Sequence, residues 1–187
     1  MRKYLFFGLA SILVLLGAAC TAKQAEPAQQ EPEFRPTATI KEIMDSMVDP
    51  GADFVWNSVE TTVSAKGAEE KAPHTDEEWK DVRRHAMMLI EGTNLLLVPG
   101  RHVAHPGEKA DEPKVELAPE QIDTMIAQDR LSFVKLVHGL HDAAMESLKA
   151  IDKKDAELLL NTGDGIDKAC ENCHLKYWYP NDKNAGD

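Results

Sequence analysis

Cys170-Glu171-Asn172-Cys173-His174, close to the end of the chain, constrains this sequence more than any other stretch. On a helix the two thiols stand one turn apart on the same face, with the imidazole of the next residue beside them. Cys-x-x-Cys-His is the attachment signal for a c-type haem. The thiols can reach the two vinyl groups on one edge of a porphyrin and form thioethers, and His174 falls under the iron as its proximal ligand. A bare Cys-x-x-Cys would also suit thioredoxin-like redox chemistry or zinc binding. The chain has three cysteines, so there is no second pair to complete a four-ligand zinc site.

The third cysteine belongs to the other end. Met1-Arg2-Lys3 is basic, Leu5 to Leu16 is almost wholly apolar, and Gly17-Ala18-Ala19 precede Cys20. A basic start, a short apolar run and small residues read as a secretory signal over residues 1–19. The run falls short of the roughly twenty apolar residues that a membrane span needs. Cys20 after Ala18-Ala19 resembles the lipidation site of bacterial lipoproteins, with Gly17 where the commonest pattern has Leu and Leu16 one place earlier. Ordinary cleavage near Ala19, leaving a free thiol, is the alternative. Thr21 rather than Asp after the cysteine favours, by the same resemblance, sorting to the outer membrane of a Gram-negative bacterium. Export suits the haem signal, because bacterial c-type haem is attached outside the cytoplasm.

Residues 20–36 are rich in Ala, Gln, Glu and Pro and read as a lipidated N-terminus with a disordered tether. Residues 37–180 then form one domain of ordinary size, and 181–187 a flexible tail. The net charge is −11, and loss of the two cations Arg2 and Lys3 with the signal takes it to −13. Such a surface disfavours nucleic acid. It could steer a basic redox partner, or serve only solubility.

The body of the chain has helical periodicity. Ile40, Ile43, Met44, Met47, Phe54, Val55 and Val59 follow the three-four spacing of one buried stripe, and Asp49-Pro50-Gly51 predicts a kink or a break within it. Thr75-Asp76-Glu77-Glu78 is a capping box that opens a second helix, lined by Trp79, Val82, Ala86, Leu89, Ile90, Leu96 and Leu97 and stopped at Pro99-Gly100. Pro119 opens a third helix, with Ile122, Met125, Ile126, Phe133, Val137, Leu140, Ala144 and Leu148 inward. Asp152-Lys153-Lys154-Asp155 makes a corner. The fourth helix carries Ala156, Leu159, Leu160, Gly163, Ile166, Cys170, Cys173 and Tyr177 and ends at Pro180. No strand alternation and no internal repeat stands out. Four amphipathic helices with one short corner predict an all-α, up-down-up-down four-helix bundle.

A haem motif near the end of the fourth helix of such a bundle resembles the class II cytochromes c, the cytochrome c′ family. The resemblance spans about Thr37 to Tyr179. Its specific part is the fourth helix: Gly163, Gly165 and then Ala169-Cys170-Glu171-Asn172-Cys173-His174-Leu175-Lys176-Tyr177, with the family's aromatic residue three places after the histidine. Trp178 stands where the family often has a basic residue, and Lys176 is the nearby cation. The resemblance implies one covalent haem c between helices at one end of the bundle. It also implies electron transfer or the binding of nitric oxide or carbon monoxide, with a homodimer through the first two helices as an option.

In an antiparallel bundle the end of the fourth helix lies beside the start of the first, the end of the second and the start of the third. Met44, Met47, Met125 and Tyr177 are then the expected pocket residues. Matching the first helix to the family puts Met44 at the distal position. There it is either the sixth iron ligand, giving a low-spin haem suited to electron transfer, or a packing residue over an open site. Met47 or a loop histidine is a further option. His85 lies about 20 Å back along its helix at roughly 1.5 Å per residue, and His138, His141 and His74 suit ligation no better. Residues 98–118 form a long connection with three prolines, VPGRHVAHPGEKADEPKVELA. Its Arg101, His102 and His105 could shield the haem edge or pair with a propionate, unless the segment is a solvated insertion. The expectation is therefore a haem protein that carries electrons in the cell envelope, periplasmic and lipid-anchored, with a redox protein as partner. The alternative is a module that binds a diatomic gas. No distal acid-base constellation argues for an enzyme.

Overall fold

Two threonines set the first helix starts. Thr39 accepts from the Glu42 backbone N–H at 3.1 Å while Glu42 reaches back to the Thr39 N–H at 2.8 Å, and Thr75 and Glu78 repeat the exchange at 3.2 and 2.8 Å. Each box satisfies donors that the first turn of a helix leaves open. The structure is a computed structural model that describes residues 32–65 and 67–182. The expected signal peptide, Cys20, most of the tether and the end of the tail lie outside them. From Phe34 onward the chain forms one unit, and it is mostly helical.

The first helical segment is α1 (Ile40–Ile43), a π-helical turn (Met44–Val48) and α2 (Asp49–Asn57) in direct succession. The predicted kink at Asp49-Pro50-Gly51 takes the form of this widened turn just ahead of the proline. Pro50 has no N–H to return to Ser46, and the Asp49 N–H donates five residues back, to the Met44 carbonyl. Gly51 then lets α2 approach α3 (Asp76–Leu96) closely. A Cβ at Gly51 would stand 3.0 Å from the His85 carbonyl oxygen and from the Leu89 nitrogen and Cβ. Gly92 of α3 makes the reciprocal room, since a Cβ there would meet Val48 Cγ2 at 3.1 Å and Met47 Cβ at 3.4 Å.

Between α2 and α3 lies an antiparallel hairpin, β1 (Glu60–Ser64) with β2 (Gly67–Lys71), paired from Glu60 opposite Lys71 to Ser64 opposite Gly67. This corrects the expectation of no strand. Both strands are exposed along their whole length, so neither face needs apolar residues and no period-two pattern is written. The β-branched run Thr61-Thr62-Val63 was the remaining signal.

The third expected helix is two: α4 (Pro119–Gln128) and α5 (Arg130–Lys153). Asp129 between them leaves helical geometry, at φ −132° and ψ 60°, and caps α5 through the Ser132 N–H. Tertiary bonds hold this break. Lys176 Nζ is 2.9 Å from the Asp129 carboxylate, the Tyr177 hydroxyl donates to the Asp129 carbonyl, and Arg130 reaches the Leu97 carbonyl at 2.7 Å. At the predicted corner Lys154 adopts a left-handed φ of 55°, and Asp155 caps α6 (Ala156–Tyr177) through the Leu158 N–H.

Cross-contacts fix the directions. Gly51 meets Leu89 and Val48 meets Gly92, Arg83 pairs with Asp152 while Arg130 reaches Leu97, and Ser147 donates to Thr162 while Phe133 meets Tyr177. Each sequence of contacts rises on one element as it falls on the other, so the first segment and α3, α3 and α5, and α5 and α6 run antiparallel. Their inward faces form one core that includes Val48, Leu89, Ile122, Ala144 and Ile166. Among the described residues no helix is long and apolar enough to cross a membrane.

The connection from Leu97 to Ala118 is built in rather than loosely solvated. Val103 is fully buried. The Ile40 and Lys41 N–H groups donate to His102 and Val103 carbonyls at 2.9 and 3.0 Å, and the Leu117 N–H donates to the Trp178 carbonyl at 2.8 Å. The segment thus ties the start of α1 to the end of α6.

Candidate haem-attachment site

Helix α6 is uninterrupted for 22 residues, so Cys170 and Cys173 stand one turn apart, as the sequence spacing predicts. Both thiols are free and half-buried, and both pack against the core. Burial pushes the Cys170 thiol up to about 12, with Asp49 the next cause. Burial alone pushes Cys173 up to about 11, against a small opposing pull from Lys176. These are protonated thiols in partly apolar surroundings, unlike the low-pKa thiolates of redox catalysis.

His174 comes next on the last turn and is half-buried. Burial lowers its pKa, while Asp49, Glu171 and Glu116 pull upward in that order. Asp49 is exposed as a residue, yet partial burial of its carboxyl raises it, opposed by the nearby His174. Sequence reading passed over Asp49 as part of a helix break. The signal that could have found it is register. Trp56 of α2 donates through Nε1 to the Gly163 carbonyl at 3.3 Å. Stepping seven residues back along the first segment and seven forward along α6 pairs Asp49 with Cys170, and one further turn brings Met44 level with His174.

Met44 and Met47 both lie on the π-helical turn and are half-buried. Met44 packs on the core cluster, and Met47 places its Cβ toward Gly92 of α3. Met125 on α4 is half-buried against the same cluster. Tyr177 is 2 % exposed, and it packs edge-on to Phe133 at 5.7 Å between centroids.

The histidines elsewhere sit in other settings. His85 stacks on Phe54 at 3.7 Å, and His138 is exposed. In the long connection His102 pairs with Asp123 at 3.1 Å and His105 with Glu42 at 3.2 Å. Arg101 bonds the Leu95 and Ala38 carbonyls. In this structure Arg101, His102 and His105 fasten the connection to the start of the first segment, α3 and α4.

Aromatic residues pack around the histidine. Tyr179 lies edge-on to the His174 ring at 5.7 Å, and Trp178 is tilted against it at 6.2 Å. The Tyr179 hydroxyl donates to Glu171 at 2.6 Å. Among the described residues no group of three or more His, Cys, Asp or Glu side chains could hold a metal ion by itself. The donor set fits a haem c nonetheless, since such a group brings its own iron and asks of the chain two thiols, one imidazole and apolar surroundings. Cys170, Cys173 and His174 supply the first three, both cysteines pack against the apolar core, and Trp178 lies against His174. Comparison with known proteins finds no match for this chain among protein-family models, curated sequences or solved structures.

Proposed function

We propose that this chain is a c-type haem protein that carries electrons in the bacterial cell envelope, tethered to a membrane through Cys20. The observation that carries the reading is the turn of α6 on which two free, half-buried thiols and the imidazole of His174 share one side of the helix. The antiparallel run of the first segment, α3, α5 and α6 supports an up-down-up-down four-helix bundle, with the motif at one end. When bound, the haem supplies a one-electron couple whose potential depends on its axial ligands. Cys170 and Cys173 would hold it covalently and His174 would ligate its iron. Met44, which the register step from Trp56 and Gly163 brings to the turn of His174, would be the residue to offer a thioether to the iron. Tyr177 and Met125 close the apolar flank. The acidic surface favours a basic protein partner.

The test is covalent retention. Protein made in a host that attaches haem c should keep its haem through acid-acetone extraction, and Cys170→Ala or Cys173→Ala should weaken or abolish this. A wild-type chain that gives up its haem to the solvent defeats the reading. His174→Ala should leave a disturbed, ligand-exchanging iron.

One observation favours a second reading, the binding of nitric oxide or carbon monoxide at an open iron. Met44 is part of the packing around the core and can serve there without touching iron. Met44→Ala decides between them. A low-spin haem that turns high-spin, with a lower potential and tighter carbon monoxide binding, means ligation. A wild-type haem that is already high-spin means gas binding.

A further inference from the structure

The residues after the motif fold back onto it. The N–H groups of Trp178 and Tyr179 both donate to the His174 carbonyl, at 2.7 and 3.0 Å. This turns the chain so that both rings come to rest on the imidazole. The turn is then locked from three sides. Leu117 donates to the Trp178 carbonyl at 2.8 Å, Asp182 donates to the Tyr179 carbonyl at 3.0 Å, and the Tyr179 hydroxyl reaches Glu171 at 2.6 Å. Glu171 lies between the two cysteines, so the bond spans the motif from the inside. Phenol to carboxylate is a charge-assisted hydrogen bond, shorter and stronger than a neutral one. Burial and then the Glu171 carboxylate keep the Tyr179 phenol protonated well above its ordinary range, which keeps it a donor.

We infer that Tyr179 and Glu171 act together as positioning residues for His174, clamping the orientation of its ring through a hydrogen bond that crosses the Cys-x-x-Cys-His turn. The inference rests on the haem reading for its consequence, though not for its geometry. An imidazole has a free torsion about its Cβ–Cγ bond, with a broad minimum. Its orientation sets which nitrogen faces the iron and how the ring lies over the porphyrin, and partners in the outer shell usually fix it. Here the edge-on Tyr179 ring blocks one swing of the imidazole and the tilted Trp178 ring another. Without the bond to Glu171 the Tyr179 side chain is free to leave.

Three variants of the full chain test this: Tyr179→Phe and Glu171→Ala, which break the bond, and Glu171→Gln, whose amide oxygen can still accept it. In chain produced without haem, hydrogen exchange of the Trp178 and Tyr179 amides should rise in the first two variants and stay near wild type in the third. In haem-loaded protein, the iron–histidine vibration and the midpoint potential should shift alike in Tyr179→Phe and Glu171→Ala. The double variant Tyr179→Phe/Glu171→Ala should shift no further, and Glu171→Gln should restore most of the wild-type signature. Unchanged exchange in the breaking variants overturns the clamp, and so do unchanged iron signatures in variants that keep covalent haem. Shifts that add in the double variant also overturn it, because they would mean two separate effects. If the wild type retains no covalent haem, the functional reading falls, and the exchange measurement still decides the clamp.

Discussion

Helix α6 and the first helical segment run past each other over Trp56 and Gly163, yet they are built on opposite plans. Helix α6 keeps one hydrogen-bonding pattern for its whole length, while the first segment changes from α to π and back within 18 residues. The difference reflects the task of each element. A regular helix holds Cys170 and Cys173 one turn apart on α6. The first segment has to bring Asp49 toward α6 while Met47, Val48 and Gly51 meet α3. A regular stripe cannot serve both directions. An extra residue in one turn rotates the remainder of the helix about its axis, and π-helical turns of this kind often sit at functional sites.

The largest effect that would test the contrast is chemical. In the haem-free chain, raising Cys170 from its ordinary 9.0 to about 12 makes its thiolate about a thousandfold rarer at neutral pH. For Cys173, at about 11, the factor is about a hundred. Iodoacetamide labelling followed by mass spectrometry should be slower than in the unfolded chain by factors of that order, with Cys170 the slower of the two. Asp49→Asn should speed Cys170 and leave Cys173 alone, because the Asp49 charge acts on the first thiol only. Equal rates in the folded and unfolded chain would mean that the first segment does not cover α6.

Packing comes next. Ile166 of α6 is fully buried, and Ile166→Ala should cost about 2–5 kcal/mol. Met44→Ala, on the half-buried π-helical turn, should cost less, about 1–3 kcal/mol. Urea denaturation measures both, and a reversed order would make the first segment the more tightly packed of the two. Gly51→Val drives a branched side chain onto the His85 and Leu89 backbone, where even a Cβ would stand at 3.0 Å. A loss of about 1–3 kcal/mol is expected from such overpacking. A neutral result would show that α2 can slide on α3, and the register argument for Met44 would then weaken.

The smallest effect concerns the end of α6. Lys176, and then Ser132, hold the Asp129 carboxyl down to about 2 from an ordinary 3.8. A folded-state pKa below the unfolded one stabilises the fold above the unfolded value and loses that contribution as pH falls through the folded one. Between about pH 4 and pH 2, therefore, the wild type should lose thermal stability faster than Asp129→Asn. Parallel curves would assign the α4–α5 break to backbone bonds alone.

The features legible in the sequence and those hidden from it divide along a physical line. The capping box at Thr75, the proline start at Pro119, the corner at Lys154 and the span of α6 are written in local chemistry, and each was legible. So was the helical setting of Cys170-Glu171-Asn172-Cys173-His174, since its one-turn spacing is local. The hairpin was not, because two strands exposed on both faces leave no periodic trace. The break at Asp129 was not, because apolar spacing runs straight through it, and Lys176, Tyr177 and Arg130 hold it through tertiary bonds. Asp49 escaped for a related reason: its neighbours Cys170 and His174 are more than a hundred residues away. The long connection had the composition of a loop, and the short apolar pair Val103-Ala104, both buried, was too brief to announce that it was anchored.

The seat of Trp56 on Gly163 has an optical consequence. Gly163 lies seven residues from Cys170, about 10 Å along α6, and the indole is pinned there by its bond to the Gly163 carbonyl. Trp178 leans on His174 itself, and Trp79 is buried in the first turns of α3, beside the end of α5 at Ile151 and Asp152. The three indoles therefore form a graded series of emitters at increasing remove from the motif. A strongly absorbing group attached at the cysteines would darken them in that order, so the chain carries its own gauge of what it holds and where.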